Sequence, residues 1–320
     1  MLGGILALLS ATTFALTNAA VRRGVLSGSA VQATALSIPV GVPIFFAALL
    51  LAGEPGLVAR LPRASMIAFG VTGVTHFVIG RYANYRAIGA IGANLSGPVM
   101  QFNLVVSLIL AIAFLGEALT PLRILGIGLI AIGPAILARD QRRRGTARAT
   151  TVFKPRMVEG YAFAILAATC YGLSPVLLRF AGQGRGLAAG LAGGVISAAT
   201  ASVAIFVLLA LPGHWRDLRR VNAHAAKWFL FSAVMVYVSQ IFYFMALAIE
   251  PVTVIAPISS LNNVFRIHFS SWLNPRHEVF GPAVWVATAV SCLGVFVLSA
   301  STNALPLPAA WETVLNWHWP

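Results

Sequence analysis

The sequence predicts an all-α polytopic membrane protein, with ten transmembrane helices arranged as two inverted five-helix repeats. Three observations carry that expectation. Of the 320 residues, 59% are hydrophobic and 9% are charged, where a soluble domain carries about 25% charged residues. Ten apolar stretches approach the roughly 20 residues that a span requires, at about 2–20, 30–52, 66–89, 93–115, 121–138, 158–180, 187–211, 226–249, 254–273 and 281–300. Finally, the chain is written twice. Tyr85–Ala138 aligns with Phe244–Ala300, so that Pro98 falls on Pro257 and Asn103 on Asn262. After a two-residue insertion near Asn274, Glu117 falls on Glu278, Pro121 on Pro282 and Gly133 on Gly294. The starts also match: Gly3 with Gly160, Leu16 with Leu173, Arg22 with Arg179. A repeat with an odd number of spans enters the bilayer from opposite sides in its two copies, which makes the symmetry inverted.

Taken in order, residues 1–138 form the first repeat. Met1 opens an apolar stretch with no basic segment before it, so no signal peptide is expected and the first span stays in the mature chain. Connections between spans are short, so the helices pair as hairpins in one bundle. Thr120-Pro121 reads as an N-cap and first-turn proline for the fifth span, and Gly281-Pro282 opens the tenth in the same way. Residues 139–157 (RDQRRRGTARATTVFKPRM) form a basic linker. Residues 158–300 form the second repeat. The tail 301–320 carries Trp311, Trp317 and Trp319. Tryptophan favours the membrane interface, so this tail is expected to lie along it.

The formal net charge of +14 invites a nucleic-acid reading. The charge lies in loops that flank spans, which excludes it and reports orientation instead. Odd-numbered loops hold 15 Lys and Arg residues against 5 in even-numbered loops, while Arg81 and Arg266 lie within spans. The bias places the 139–157 linker in the cytoplasm and both termini outside, in a cell (inner) membrane. Cys170 and Cys292 sit inside spans as small packing residues. Gly182–Gly186 follows a membrane helix and lacks the Lys-Ser/Thr of a phosphate loop, so it reads as a turn. No HExxH, GxSxG or Cys/His cluster is present. No enzyme chemistry and no cofactor are signalled.

An ionisable residue inside a span is costly and is a functional candidate by default. All eight acids fall in loops, tails or helix ends. The buried polar groups are neutral or basic. His76 lies about 15 Å along the third span from Met66, near mid-bilayer. Gly73, His76, Gly80 and Asn84 follow three- and four-residue spacing and share one face. On that α-helical register Arg81 points elsewhere and snorkels from the helix end. The fourth span offers Gln101 and Asn103 after Pro98. The ninth offers Asn262, Asn263, Arg266 and His268 after Pro257, with Asn262, Arg266 and Ser270 on one stripe. Inverted repeats bring equivalent positions together, so Asn103 and Asn262 either share a ligand or bond each other. Tyr237 and Gln240 in the eighth span, with Thr13 and Tyr171, complete the candidate lining.

The order Pro98, Leu115-Gly116-Glu117, Gly133, repeated in the second half, resembles that of the EamA-type permeases of the drug/metabolite transporter superfamily. The resemblance spans nearly the whole chain up to Ser301. It implies ten helices in two repeats, and a central cavity lined by the third, fourth, eighth and ninth helices with help from the first and sixth. It also implies alternating access and, for most members, export of amino acids, sugars or other small metabolites. Glu117 and Glu278 match a family glutamate expected to cap a helix. The second copy departs from the pattern with Leu-Asn-Pro-Arg-His-Glu. Family members are commonly drawn with both termini in the cytoplasm, the reverse of what the basic residues indicate here.

The expectation is therefore a secondary transporter, in the exporting direction, for a small polar metabolite such as an amino acid or organic acid. Arg266 is the expected counter-charge to a carboxylate, and Asn103 with Asn262 the orienting amides. His76 is a hydrogen-bond donor or proton carrier, since imidazole has an ordinary pKa of about 6.5. The expected partners are a small-molecule substrate, the lipid bilayer, a proton and a second copy of the chain as homodimer. Two alternatives stay open at this point: a multidrug exporter of hydrophobic compounds, and a membrane protein that kept the fold without transport.

Overall fold

The computed structural model describes residues 2–100, 102–116, 121–145, 156–210 and 214–273, with isolated positions between 282 and 297. The described segments are helical almost throughout and contain no strand. Six stretches among them are long and apolar enough to cross a membrane: Leu2–Val25, Ala30–Leu51, Arg63–Gly92, Met157–Gly182, Leu187–Ala210 and Ala223–Ile249. They coincide with the first, second, third, sixth, seventh and eighth expected spans. The tenth expected span, Glu117, Glu278 and the tail lie outside the described residues, isolated positions of that span aside.

Several spans are built from pieces. The first is one helix, α1 (Leu2–Val25). The second divides into α2 (Ala30–Ser37) and α3 (Gly41–Leu51). Ser29 starts α2 with a capping box, its hydroxyl taking the Gln32 N–H while the Gln32 side chain takes the Ser29 N–H. Pro39, which has no N–H to give, sits at the break. After the short α4 (Leu57–Arg60), the third span runs through α5 (Arg63–Thr72), a π-helical stretch (Gly73–Gly80) and α6 (Arg81–Met100). Inside α6, Gly92 at φ 83°, ψ 163° turns the chain from the third span into the fourth. That conformation is open essentially to glycine alone. The fourth span continues as α7 (Phe102–Leu115), and α8 (Pro121–Gly145) begins at the expected proline.

The second half follows as α9 (Met157–Gly182), α10 (Leu187–Ala210), the short α11 (His214–Arg219) and α12 (Ala223–Ile249). Asn222 caps α12 by accepting the Ala225 N–H at 2.7 Å. The ninth span is again broken, into α13 (Val252–Ser260) and α14 (Asn262–Leu273). Pro257 cannot bond the carbonyl one turn before it. At the break Ser260 donates to the Pro257 carbonyl at 2.6 Å, and Asn262 to that of Ser259 at 2.8 Å. The linker differs from expectation in one respect. Arg139 to Arg144 continue α8 and do not open a loop. Arginines are good helix formers and suit the negative end of the helix dipole.

Helix packing repeats about a pseudo-two-fold. α1 lies along α12 as α9 lies along α6, and α1 meets α14 as α9 meets α7. The relation holds to single residues. Arg22 Nη1 donates to the Ile88 carbonyl at 3.2 Å, and the matching Arg179 Nη1 donates to the matching Leu247 carbonyl at 3.2 Å. Gly3 lies so close to Glu250 that a Cβ would collide with it, and Gly160 stands in the same relation to Ile91. Small residues of this kind let membrane helices approach. The outer faces carry exposed Leu51, Ile67, Phe114 and Val203, as a lipid-facing surface requires.

Candidate functional site

The cavity lies where six spans meet: α1, the π-helix, α7, α9, α12 and the α13–α14 break. Its free volume is about 60 Å³. Four of the expected site residues line it: His76, Asn103, Gln240 and Asn262. Tyr171 lines it too, and its ring sits 6.4 Å from that of Phe14, edge to face. No acidic side chain is among the described lining residues.

His76 Nε2 lies 3.2 Å from Gln240 Nε2. An amide nitrogen can only donate, so His76 accepts at Nε2 and carries its proton at Nδ1. That N–H and the Gln240 carbonyl oxygen are buried without a partner, leaving one donor and one acceptor unused. Asn103 and Asn262 both line the cavity, Asn103 near the start of α7 and Asn262 on the half-helix that follows the break in the ninth span. No hydrogen bond joins them; Asn262 spends its amide on the Ser259 carbonyl. Of the two roles open to the pair, mutual fastening is therefore not the one observed.

Other expected residues lie elsewhere. Asn84 is buried and donates to Asn18 Oδ1 at 3.3 Å. Tyr237 is fully buried and donates to the Ile38 carbonyl at 2.9 Å, at the break in the second span. Arg266 is buried one turn beyond Asn262 and does not line the cavity. Thr13 back-bonds to the Leu9 carbonyl in its own helix. Gln101 and the side chain of Asn263 lie outside the described residues.

Arg81 is the correction. The α-helical register turned it away from His76 and out toward the helix end. Instead it is 2% exposed. The π-helical stretch is the cause. Its wider turn lets the Arg81 N–H reach the His76 carbonyl, five residues back, so Arg81 comes under His76. Its guanidinium lies 4.8 Å from the ring centres of both Phe77 and Tyr237. Nη1 donates to the Tyr237 hydroxyl at 3.1 Å and to Ser37 Oγ at 3.4 Å. Nothing in residue spacing announces a π-turn. The signal that existed was a cation in a span with no acid to pair with.

Sequence reasoning also missed the serines. Ser239 donates to the Ser10 carbonyl at 2.8 Å, and the two hydroxyls lie 3.1 Å apart, tying α12 to α1 at the cavity wall. Single serines in apolar helices carry no spacing signal. Among the described residues no group of three His, Cys, Asp or Glu could hold a metal ion.

The model of the EamA-like transporter family matches residues 1–139 and again 158–300. A solved structure, titled only as the crystal structure of a protein, superposes with a TM-score of 0.65 at 20% identity. The superposition covers 96% of this chain and 98% of that one, which speaks for the fold alone. No curated relative matches. With two matches that span almost the whole chain, and a cavity enclosed by both halves, the chain belongs to the EamA-like transporter family.

Proposed function

We propose that this multi-pass membrane protein is a secondary transporter that exports a small polar metabolite across the cell (inner) membrane by alternating access. The substrate class is an amino acid or an organic acid. One observation carries the reading: a polar cavity with no acid among its described lining residues, lined by elements of both repeats, with Asn103 and Asn262 at matching positions. Neutral donors and acceptors in a low-dielectric site orient a polar solute at little cost. His76, Gln240, Asn103 and Asn262 bind directly in this proposal. Tyr237 and Asn84 hold the wall behind them. Gln101, Asn263 and Arg266 extend the site along the fourth and ninth spans, and His76 is the group available to a coupled proton.

The multidrug alternative draws on the Phe14, Tyr171 and Tyr243 rings in the same wall. A cavity without a carboxylate is poorly suited to the lipophilic cations such exporters carry. The test is thermal unfolding of the purified protein in detergent against amino acids, organic acids, sugars and cationic dyes, followed by flux in proteoliposomes. A ligand of the folded state raises the melting temperature by mass action. Stabilisation by amino or organic acids, weakened in Asn103→Ala and Asn262→Ala, is the expected result. Stabilisation by dyes alone overturns it.

A further inference from the structure

We infer that Arg81 forms an anion site, and that its ligand is the carboxylate of the transported solute. The inference rests on the transporter reading and adds to it the residue that supplies the charge. Three observations lead there. The guanidinium is buried in the bundle, and among the described residues no acid pairs with it. Its Nη2 is buried with no hydrogen-bond partner, while Nη1 is held by Tyr237 and Ser37. The second orphan is the Tyr85 hydroxyl, one helical turn on and so on the same face of α6. Two donors thus face the same region without acceptors.

The surroundings fix the geometry of the cation and do not neutralise it. Phe77 and Tyr237 hold the guanidinium by their ring faces. Ring faces attract a cation without cancelling its charge. A planar guanidinium fixed in this way presents its remaining N–H groups in the fork that matches a carboxylate. The site adjoins the cavity. His76 is the residue whose carbonyl the Arg81 N–H meets. The Tyr171 ring rests on Gly80, where an added Cβ would come within 2.9 Å of it. A solute held by Asn103, Asn262 and Gln240 therefore has Arg81 beyond one layer of side chains, His76 and Tyr171. Neither Arg81 nor Arg266, the counter-charge expected from spacing, lines this cavity directly.

Removing a buried cation that lacks an acid relieves a cost when the site is empty. Arg81→Gln is thus expected to raise the melting temperature of the ligand-free protein. An arginine kept for packing and hydrogen bonds predicts a fall. The binding arm titrates propionate, its neutral isostere propionamide, and chloride into detergent-purified protein at constant ionic strength set with sodium sulfate. Propionate is expected to stabilise the wild type and propionamide to be inert. The apparent Kd for propionate should rise about tenfold or more in Arg81→Gln, and less in Arg81→Lys and Tyr85→Phe. Stabilisation by chloride alone, lost in Arg81→Gln, overturns the solute carboxylate and leaves an inorganic anion site. An unchanged propionate Kd in Arg81→Gln, or no anion effect on the wild type, overturns the site altogether. Should Arg81→Gln not fold, that result also counts against the inference, and Tyr85→Phe with an unchanged Kd settles it. Flux in proteoliposomes separates the two levels. Solute flux indifferent to Arg81→Gln removes this inference and keeps the transporter; Arg81-dependent binding without flux overturns the transported solute and leaves only an anion site at Arg81.

Discussion

At the scale of the residue, the polar groups of this bundle differ in how far they are committed. His76 and Gln240, at the cavity, keep spare hydrogen-bonding capacity. The hydroxyl of Tyr237, behind it, is fully used. The Tyr237 hydroxyl gives its proton to the Ile38 carbonyl and accepts from Arg81, so one atom fastens α12 to the second and third spans. Its ring also lies against Gly41, where a Cβ would collide with it. Tyr237→Phe keeps the ring and removes one hydrogen bond from each partner, leaving Arg81 Nη1 to Ser37 and the Ile38 carbonyl to the Gly41 N–H. The loss of two such bonds, one to a charged group, costs about 1–3 kcal/mol. The variant should therefore unfold at lower temperature than the wild type by that amount, read as ligand-free thermal or denaturant unfolding in detergent. Because the two residues share a bond, the loss should shrink in an Arg81→Gln background. Equal losses in both backgrounds would show that the hydroxyl acts independently of the arginine.

At the scale of the element, the candidate site gathers at interruptions. The second and ninth spans are broken and the third is wound differently, and the cavity or the Arg81 cluster meets each irregular stretch. Gly92 is one such point. Ala there would have to adopt a backbone conformation that costs an L-residue of order 1–3 kcal/mol. Gly92→Ala should lose about that much stability in denaturant unfolding, whereas Gly89→Ala, in open helical surroundings, should lose none. The matched bonds from Arg22 to Ile88 and from Arg179 to Leu247 sit at opposite ends of an inverted repeat, each joining helices of one half. A charged hydrogen bond contributes about 1.5–3 kcal/mol. In a carrier open to one side at a time, loss of such a bond shifts the balance between states by about tenfold or more. Arg22→Gln and Arg179→Gln should thus favour openings on opposite faces. The measurement is labelling of a cysteine placed at Ser107, in a background without Cys170 and Cys292, by an impermeant maleimide applied from either side. The same sidedness in both variants would rule the latch out. How much of this was legible varies by element. Pro257 was the signal for the break in the ninth span. The π-turn before Arg81 was not legible, because its hydrogen bonds are chosen by packing against α9 and α10 and not by any residue type.

At the scale of the whole molecule, the repeat was the most legible feature, since it is carried by matched positions along both halves at once and survives errors at any one of them. The cavity's location followed from it, because equivalent helices must meet at the axis of an inverted pair. The side-chain partners did not follow, since they depend on rotations of a helix by less than one residue. Orientation belongs to this scale as well. The structure gathers Arg22, Arg23, Arg86 and Arg156 at one end of the bundle. There Arg22 holds the Ile88 carbonyl, Arg23 the Leu273 carbonyl, and both Arg86 and Arg156 pair with Glu159. The opposite end carries Glu250 beside Gly3, and Arg179 on the Leu247 carbonyl. Basic residues near span ends are retained on the cytoplasmic side, and acids contribute little to that preference. The end bearing Arg22 and Arg156 should therefore face the cytoplasm, together with the 139–157 linker, and both chain ends should face outward. A single cysteine in the linker, in a background lacking the native pair, should resist an impermeant maleimide in intact cells and react after permeabilisation, while one placed at Gly4 should react in both. The opposite pattern would mean that the other orientation holds, and that the basic end of this bundle is tolerated outside because its arginines are already held by carbonyls and Glu159.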